Sequence, residues 1–417
     1  MHQRNVITDV LISCAYFKQE CPKQINFLFC HKTNKIRNFV GYMKKVLFLL
    51  FVVSIIVACG GKQTNGQRGE GDTLHFKYAQ NIVVVRQQDA TIVELKNPWK
   101  ESTLLHRYIL LNDSNVSPGK VADGVPTTII RKGRHRAIVC PSAHAALLKM
   151  LNVEQQIVGV CDLKYMVSPH MQQLAKMKKI ADCGESMNPD IEKMMETRAD
   201  LVLVSPFENS GGYGKLDKTG IAIIECADYM ERSALGRAEW MKFYGLLFGS
   251  EQTADSLFME VEKNYMELTE AAKKEHERPT ILTEKLTGTV WYVPGGQSTM
   301  GRMIADAGAT YPFSDNKQGG SLALPLEKVL EEARSADIWL IKYNAPTPLT
   351  YSQMLGENKG YAMIKACKTR RVYGCNAGIK PIFEETPFRP DWLLQELIRI
   401  AHPSKQPFVG RYFEPLN

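Results

Sequence analysis

The sequence lacks the compact motifs that mark most enzymes and nucleotide-binding proteins. There is no G-x-S-x-G elbow, so a hydrolase nucleophile of that type is not indicated. Neither G-x-x-x-x-G-K-[ST] nor G-x-G-x-x-G occurs, and the glycines at 211–214 and 295–296 are better interpreted as turns. The histidines are widely spaced, without H-x-x-x-H or H-E-x-x-H, which disfavours a site for free zinc or manganese.

Cysteine pairs of the C-x-x-C type are also missing. Six cysteines lie beyond residue 130, mostly beside apolar, strand-like residues. We interpret them as buried thiols. One disulfide remains open in an oxidising compartment, but the sequence does not indicate which pair forms it.

The longest apolar run is too short for a comfortable membrane span. It covers residues 46–57, broken only by Ser54, and it follows Lys44 and Lys45. A transmembrane helix needs about 20 apolar residues, whereas a signal-peptide core needs about 7–15. The run ends at residues 56–59, which resemble a lipobox. This predicts a signal peptide at 43–58 and an exported protein lipidated on Cys59 and anchored to a bacterial membrane, in the periplasm or outside the cytoplasm. A single N-terminal membrane anchor is the alternative.

Positive charge is concentrated near the N-terminus. The whole chain has 52 Lys and Arg against 44 Asp and Glu, a net charge of +8. Residues 1–58 hold eight basic and two acidic residues, so the remainder carries +2. Nucleic acid is therefore not an expected partner. Because 42 residues precede Met43, we expect residues 1–42 to be an unstructured, mis-assigned start.

The body of the chain predicts an α/β fold. Residues 59–73 are polar and rich in glycine, which favours a flexible tether. Residues 74–130 read as a strand-rich segment, with a hairpin between strands at 82–85 and 91–95. From residue 136 strands and helices alternate, which indicates a parallel sheet with helices on its faces.

A helical stretch interrupts that alternation and predicts two lobes. One helical face carries apolar residues at i, i+3, i+4 and i+7, namely Trp240, Phe243, Tyr244 and Leu247. Gly249 ends this helix, and Ser250 is the predicted N-cap of a long helix at 250–276, about 40 Å in length. The predicted organisation is an N-terminal lobe at 74–233, a helical connection at 234–276, a C-terminal lobe at 277–403 and a tail at 404–417.

A phrase that occurs once in each lobe strengthens this division. A helix with Glu-Lys precedes a buried strand headed by Asp at residues 190–204 and again at 325–341. Taken in chain order, this repeated pattern and several other short segments of the two lobes resemble the helical-spacer class of ABC-importer substrate-binding proteins. These proteins handle cobalamin, ferric siderophores and haem. The resemblance spans about 136–403 and is carried by residues 136–142, 151–160, 188–192, 199–203, 293–301, 304–309, 326–330 and 390–394.

The resemblance implies a fold and a set of partners. Two Rossmann-like βα lobes are joined by one long spacer helix, with the ligand cleft between them and residues 74–130 as an extension of the first lobe. The expected partners are an ABC permease with its ATPase and a metal-chelate small molecule, and the protein is expected to be a monomer. No cofactor or metal site of its own is implied, although the ligand can itself contain iron or cobalt.

Two glutamates are implied to dock the protein onto its permease. Glu192 and Glu327 occupy matched positions in the repeated phrase. A carboxylate on each lobe can pair with permease arginines and steer docking. The alternative is that both are ordinary exposed helix glutamates.

The ligand is expected at the strand ends and in the loops that follow them. In the first lobe the candidate residues are Ser142, His144, Tyr165, Phe207, Glu208, Asn209, Tyr213 and Tyr229. In the second lobe they are Trp291, Tyr292, Gly296, Gln297, Ser298, Tyr343, Asn344, Asn376 and Phe383. Aromatic side chains with a few amides suit a large, flat, partly apolar ligand, and His144 or Tyr213 could ligate haem iron. For each aromatic, the alternative is a half-buried packing residue.

Three functions stay open at this level. The leading hypothesis is a lipid-anchored binding protein, not an enzyme, that captures a metal chelate and delivers it to a permease. The second is an extracytoplasmic enzyme in the cleft, with acids available for acid–base chemistry at Glu208, Asp228, Glu384 and Glu385. The third is a scavenging surface lipoprotein that does not transport, for which Glu192 and Glu327 would not matter.

Overall fold

The computed structural model describes residues 72–112, 123–208, 212–403 and 408–417. The predicted start, the signal peptide, Cys59, almost all of the tether and Asn209 lie outside these ranges. Within them, no helix combines the length and apolarity that crossing a membrane would require.

A five-stranded sheet precedes the first lobe. Its strands are hydrogen-bonded in chain order: β1 (Asp72–Leu74), β2 (Ile82–Arg86), β3 (Ala90–Lys96), β4 (Leu104–Leu111) and β5 (Thr127–Arg131). All pairs are antiparallel except β4 with β5. The predicted hairpin is confirmed as β2 and β3. Val84, Val93 and Tyr108 are fully buried, so one face of this N-terminal sheet packs on the main core.

The first lobe is built on a wholly parallel sheet with the order β12-β11-β6-β7-β8. The strands of the lobe are β6 (Ala137–Val139), β7 (Ile157–Val160), β8 (Ala181–Asp182), β9 (Gly184–Glu185), β10 (Asn188–Pro189), β11 (Leu201–Val204) and β12 (Ala222–Glu225). Its helices are α1 (Ser142–Met150), α2 (Pro169–Lys176) and α3 (Ile191–Glu196). The strand order reverses between β6 and β11. Open α/β sheets bind ligands beyond the carboxyl ends of the strands at such a point.

Three helices lead to the second lobe: α4 (Ala234–Glu239), α5 (Met241–Phe248) and α6 (Glu251–Ala272). Gly249 ends α5 with a φ of +72°, a left-handed conformation that glycine adopts without strain. Gly245 of α5 lies so close to α6 that an added Cβ would sit 2.4 Å from the Ala254 Cβ. This contact fixes the turn between the two helices.

The long helix is shorter than predicted. Its 22 residues give about 33 Å, against the predicted span of 250–276. Ala272 is the last buried residue of its apolar stripe, and residues 273–277 are exposed. Without tertiary packing a further helical turn gains little. Ser250 holds the N-cap position, but its Oγ donates to the carbonyl of Leu151, 2.7 Å away, instead of capping the helix.

The second lobe combines two sheets. Its strands are β13 (Ile281–Thr283), β14 (Leu286–Thr287), β15 (Val290–Pro294), β16 (Ser321–Leu324), β17 (Ile338–Tyr343), β18 (Val372–Asn376) and β19 (Glu414–Pro415). Its helices are α7 (Thr299–Asp306), α8 (Leu326–Ala333), α9 (Tyr351–Glu357), α10 (Lys365–Lys368), α11 (Ile382–Glu385) and α12 (Pro390–Ala401). β13, β17 and β18 are parallel, and β19 joins them antiparallel. The two-lobed α/β architecture is thus confirmed.

Two details of the second lobe differ from the prediction. The alternation of strands and helices predicts parallel pairing, but β15 instead forms an antiparallel sheet with β14 and β16. It packs on the parallel sheet through Trp291, whose ring stacks on that of Trp339 with centroids 5.4 Å apart. The segment predicted as a tail supplies β19, because the buried Tyr412 and Phe413 hold it against the lobe.

Candidate ligand site

Two cavities adjoin at Ser142, the first residue of α1. The strand-end cavity, of about 460 Å³, lies at the switch point of the first-lobe sheet. The interlobe cavity, of about 520 Å³, lies between α1 and residues 166–171 on one side and residues 379–392 of the second lobe on the other. Both volumes suit a small-molecule ligand.

The strand-end cavity is built where three parallel strands end. β6, β7 and β11 are followed by lining residues, and the β9–β10 hairpin and the loop before β12 close the sides. The lining residues are Cys140, Pro141, Ser142, Asp162, Tyr165, Ser186, Met187, Pro189, Met194, Val204, Ser205, Phe207, Gly212, Tyr213 and Leu216. Hydroxyls and one carboxylate thus alternate with apolar and aromatic groups, the composition of a site for a partly apolar ligand.

Large apolar side chains stand exposed around this cavity. Tyr165 is 62% exposed, Met187 79% and Phe207 46%. Below them, Cys140, Met194 and Leu216 form a buried floor. Exposed aromatic and methionine side chains around a concave surface mark a place where a ligand can be covered.

Among the lining residues, Tyr213 is held by a hydrogen bond to a buried carboxyl group. Its hydroxyl donates to Oε1 of Glu225, 2.9 Å away. Burial raises the pKa of Glu225 to about 7, although the hydrogen bond from Tyr213 opposes the rise. Burial, followed by the charge of Glu225, raises the pKa of Tyr213. A phenol thus faces the cavity with a proton acceptor directly behind it.

The N-terminal sheet supports this pair from behind. The backbone N–H of Glu225 donates to the hydroxyl of Tyr108 on β4, 2.9 Å away. His106, also on β4, places Nδ1 3.5 Å from Oε2 of Glu225. Burial lowers the pKa of His106 to about 4, so this contact at neutral pH is not an ion pair. The sheet therefore forms part of the wall that holds Tyr213.

His144 does not contact either cavity, which corrects the prediction of a ligand-binding role. It is 2% exposed, and its Nε2 lies 2.9 Å from both Oδ1 of Asp228 and the hydroxyl of Tyr244. Arg237 donates from Nε to Oδ2 of Asp228 at 3.0 Å. Burial alone would lower the pKa of His144, but the neighbouring Cys226 and Asp228 raise it to about 10. The position of His144 on α1 places its side chain on the face of the helix that packs against the core.

Two other first-lobe candidates also stand away from the cavities. Glu208 is exposed and lines neither cavity. The hydroxyl of Tyr229 donates to the carbonyl of Pro206, which holds the loop after β11 in place. Asn209 lies outside the described residues. The structure thus brings Ser142, Tyr165, Phe207 and Tyr213 together from the eight first-lobe predictions.

The second-lobe candidates line neither cavity, and several are committed to the fold. Trp291 is fully buried and donates from Nε1 to the carbonyl of Thr283 at 3.0 Å. Asn376, 5% exposed, donates to the carbonyl of Ala345 at 2.7 Å. The hydroxyl of Tyr343 accepts a hydrogen bond from the Leu349 N–H at 3.0 Å. These side chains serve the lobe's own backbone, and a ligand role for them is not supported.

The residues of the glycine-rich loop of the second lobe are also engaged in contacts within the lobe itself. A Cβ on Gly296 would lie 2.3 Å from the Ser314 carbonyl, so backbone encloses it. Gln297 accepts a hydrogen bond from Arg302 at 2.7 Å, and Ser298 caps α7 by accepting from the Gly301 N–H at 3.1 Å. Tyr292, Asn344 and Phe383 are exposed but outside both cavities.

A buried carboxylate joins the lobes beside the interlobe cavity. Oε1 of Glu384, which is 5% exposed, accepts a hydrogen bond from the Val167 N–H at 2.5 Å. Burial raises the pKa of Glu384, while the N–H groups of Val167 and Ser168 oppose the rise. A bond between residues 217 positions apart fixes the first lobe against α11. The interlobe cavity is therefore bordered by a direct contact between the lobes, whereas the strand-end cavity carries the exposed aromatic and methionine side chains.

Sequence reasoning missed several residues of the strand-end cavity. Asp162 follows β7 with a φ of +53° and accepts hydrogen bonds from the backbone and hydroxyl of Ser186. Ser186 and Met187 reach the cavity through the β9–β10 hairpin. A turn signal, Glu-Ser-Met-Asn-Pro at 185–189, was available for that hairpin. Nothing in the sequence pointed to Glu225, because its role depends on a contact made by Tyr213.

The two predicted docking glutamates are surface residues. Glu192 lies in the first turn of α3 and Glu327 in the first turn of α8, and both are exposed. Among the described residues, no group of three or more His, Cys, Asp or Glu side chains is arranged to hold a metal ion.

The sequence model of the periplasmic binding protein family matches residues 138–378, which is more than half of the chain. The chain belongs to the periplasmic binding protein family. It is therefore an extracytoplasmic solute-binding protein. The family match begins just after the N-terminal sheet, which is an addition to the shared fold.

Individual relatives agree with this assignment. An uncharacterized lipoprotein of Methanocaldococcus jannaschii is 26% identical over 356 residues, covering 81% of this chain and 83% of the relative. Residues 132–417 alone cannot supply that coverage, so the alignment reaches upstream of residue 132. A periplasmic heme binding protein from Pseudomonas aeruginosa superposes with a TM-score of 0.54 and 16% identity, covering 68% of this chain and 98% of that one. An ABC-type Fe3+-hydroxamate transport protein from Saccharomonospora viridis gives 0.51 and 18%, with 65% and 94% covered. These superpositions show the shared fold.

Proposed function

We propose that this periplasmic binding protein captures a metal chelate and delivers it to an ABC permease. The observation that carries the proposal is the strand-end cavity, whose aromatic and methionine rim stands open at the switch point of the first-lobe sheet. Such a rim suits the flat, partly apolar face of a haem or a corrin, and it can also contact the apolar surface of a ferric hydroxamate. The similar structures named above, a heme binding protein and an Fe3+-hydroxamate transport protein, support the same class of ligand.

Tyr213 is the proposed contact to the metal of that ligand. A phenolate oxygen is a recognised ligand of ferric iron in haem. To bind iron in this form, the phenol must lose its proton, and Glu225 accepts a hydrogen bond from it at 2.9 Å. Because burial and the charge of Glu225 raise the pKa of Tyr213, loss of the phenol proton requires the bound ferric iron to stabilise the phenolate. Glu225, which already accepts the hydrogen bond, is the group placed to receive that proton.

A direct binding experiment tests the proposal. Hemin, cyanocobalamin and ferrichrome would each be titrated into the purified full-length chain in detergent, with visible absorbance and tryptophan fluorescence recorded. We expect one of the three to give a saturable change with a dissociation constant in the micromolar range or below. No change with any of the three would overturn the proposal.

Delivery to a permease is tested separately. We propose that Cys59 carries the lipid anchor and that Glu192 and Glu327 dock the protein on its permease. A Glu192→Lys, Glu327→Lys double variant should bind the chelate normally but fail to support uptake in cells. A matched control is Glu196→Lys with Glu331→Lys, on the exposed surface of the same two helices. Normal uptake by the first double variant would show that Glu192 and Glu327 do not dock the protein on its permease.

A further inference from the structure

A row of cysteines follows the strands of the first-lobe sheet. Cys140 comes directly after β6, Cys161 after β7, Cys183 after β8 and Cys226 after β12. Cys140, Cys161 and Cys183 share one buried cluster, whereas Cys226 packs in the main core. All four are thiols in this structure. Three neighbouring strands therefore each end in a thiol at the edge of the sheet where the strand-end cavity lies.

One pair in this row stands out by distance. The Sγ atoms of Cys140 and Cys161 are 3.2 Å apart. Cys183 Sγ instead contacts the carbonyl of Ala181 at 4.0 Å. A disulfide bond is about 2.05 Å long, so the Cys140 and Cys161 sulfurs need to approach by only about 1.1 Å.

The backbone of the sheet brings this pair together. Val139 of β6 and Val160 of β7 are register partners, so Cys140 and Cys161 are the next pair along. Neighbouring strands are about 4.8 Å apart, which falls within the Cα separation that a disulfide can span. The Cys161 N–H also donates to the carbonyl of Val139 at 3.2 Å, which keeps the register beyond the end of the strands.

The cavity gives one sulfur a route to a reaction partner. Cys140 lines the strand-end cavity and is 5% exposed, whereas Cys161 is fully buried behind it. In the oxidising compartment where a periplasmic binding protein works, such a pair has access to disulfide-containing reactants. We propose that Cys140 and Cys161 form a disulfide at the floor of the strand-end cavity, by exchange with a small-molecule or protein disulfide.

The exchange is balanced in two steps. The Cys140 thiolate attacks one sulfur of the reactant disulfide, so a mixed disulfide forms and one reactant thiol leaves. The Cys161 thiolate then attacks Cys140 Sγ, which forms the internal bond and releases the second reactant thiol. The two cysteines lose two electrons to the reactant, and their two protons end on its two thiols.

The internal disulfide would hold two functional turns together. Cys140 precedes Pro141 and Ser142, and Cys161 precedes Asp162, all of which line the cavity. A covalent bond between these turns would fix the floor and remove the Cys140 thiol from contact with a bound ligand. This inference does not depend on which ligand binds.

Peptide mapping tests the proposal directly. The full-length chain would be treated with oxidised glutathione, quenched in acid, alkylated with N-ethylmaleimide under denaturing conditions and digested with trypsin without reductant. Cleavage after Arg136, Lys149 and Lys164 places Cys140 in peptide 137–149 and Cys161 in peptide 150–164. We expect these two peptides to be linked, and the linked species to disappear after dithiothreitol treatment.

Two other results would overturn the proposal. One is recovery of both peptides as N-ethylmaleimide adducts, and the other is a link from peptide 150–164 to peptide 180–193, which carries Cys183. A Cys140→Ser variant should lose the link and release Cys161 for alkylation, while Cys367→Ser in the second lobe should keep it. The wild-type result stands even if Cys140→Ser fails to fold.

Discussion

The carboxyl edges of the two parallel sheets carry similar residues but differ in how those residues are used. In the first lobe, Tyr165, Phe207 and Tyr213 follow buried strands and line an open cavity. In the second lobe, Tyr343 and Asn376 end buried strands, yet their polar groups bond to the loops beside them. Lys342 and Glu284 pair with each other at the same edge.

The difference shows that a polar or aromatic residue after a strand is a ligand candidate only when its own loop does not need it. The second-lobe loops turn tightly, and their backbone N–H and carbonyl groups take the nearby side chains as partners. Buried backbone groups must be satisfied, so this use takes precedence. In the first lobe, Asp162 takes up the backbone N–H of Ser186 in the β9–β10 hairpin, and the exposed Tyr165, Met187 and Phe207 side chains stay available to the cavity.

The largest effect is expected from the buried network beneath the first-lobe edge. Asp228 is fully buried and accepts hydrogen bonds from Tyr244 and Arg237 at 3.0 Å each, with His144 at 2.9 Å. Asp228→Ala leaves two basic groups without their anion, which should reduce the free energy of unfolding by about 3–5 kcal/mol at pH 7. Urea denaturation followed by circular dichroism measures it.

A surface acid provides the control for that measurement. Glu196→Ala, on the exposed end of α3, should change the free energy of unfolding by less than about 0.5 kcal/mol. A loss below about 1 kcal/mol in Asp228→Ala would show that this network does not support the first-lobe edge.

The next effect concerns the pH dependence of the wall behind Tyr213. The pKa of Glu225 is about 7 in the folded protein, above its ordinary value of 4.5, so its contribution to stability is present at low pH and is lost as pH rises toward 7. Glu225→Gln removes this loss and should become more stable relative to the wild type between pH 4.5 and 7, by about 3 kcal/mol in total.

The comparison must be made as a difference because His106 acts in the opposite direction. Its pKa falls from 6.5 to about 4 in the folded protein, so its contribution is lost as pH decreases below 6.5. Subtracting the wild-type from the variant unfolding free energy at each pH isolates Glu225. A difference that does not vary between pH 4.5 and 7 would contradict the raised pKa.

A smaller loss of unfolding free energy is expected at the carboxyl edge of the second-lobe sheet, where side chains hydrogen-bond to the adjacent loops. The Asn376 side chain donates to the Ala345 carbonyl at 2.7 Å and accepts from the Gly378 N–H at 3.1 Å. Asn376→Ala leaves these buried groups unpaired and should cost about 1–3 kcal/mol of unfolding free energy. Ligand affinity, measured by absorbance titration, should remain unchanged. A tenfold loss of affinity in a stably folded variant would place the second lobe in the site.

The sharpest comparison between the edges uses matched tyrosines. Tyr213→Phe removes the proposed metal contact and should weaken chelate binding by about 10- to 100-fold, or about 1.4–2.8 kcal/mol. Tyr343→Phe removes a hydroxyl that serves only the Leu349 N–H and should leave binding within about twofold. Absorbance titration of both variants measures the effect. Equal affinities would remove Tyr213 from the site.

Periodicity and turn residues were enough to predict the layout of the fold. The helix at residues 326–333, the glycine stop at Gly249 and the β2–β3 hairpin were all foreseen, because each depends on neighbours in sequence. Strand membership was harder to predict. β15 has an ordinary strand sequence, but only packing decides which sheet it joins, and the two residues of β19, Glu414 and Pro415, carry no strand signal at all. The end of α6 likewise depends on where its tertiary contacts stop.

The candidate site was predictable for one lobe only. Ser142, Tyr165, Phe207 and Tyr213 share a strand-end position that topology brings together. His144 has the same kind of position, but α1 turns it toward Asp228, which lies 84 residues away in the sequence. Pairings over such distances, including Glu225 with Tyr213 and Glu384 with Val167, leave no local pattern to detect.

The contact between Tyr108 and Glu225 has a consequence for defining the smallest complete protein. The segment that matches the family, 138–378, leaves out side chains on which the first lobe depends. Cutting the chain at residue 138 would remove the hydroxyl that satisfies the Glu225 N–H and open the wall behind Tyr213 to water. The added sheet thus helps to hold the wall of the strand-end cavity.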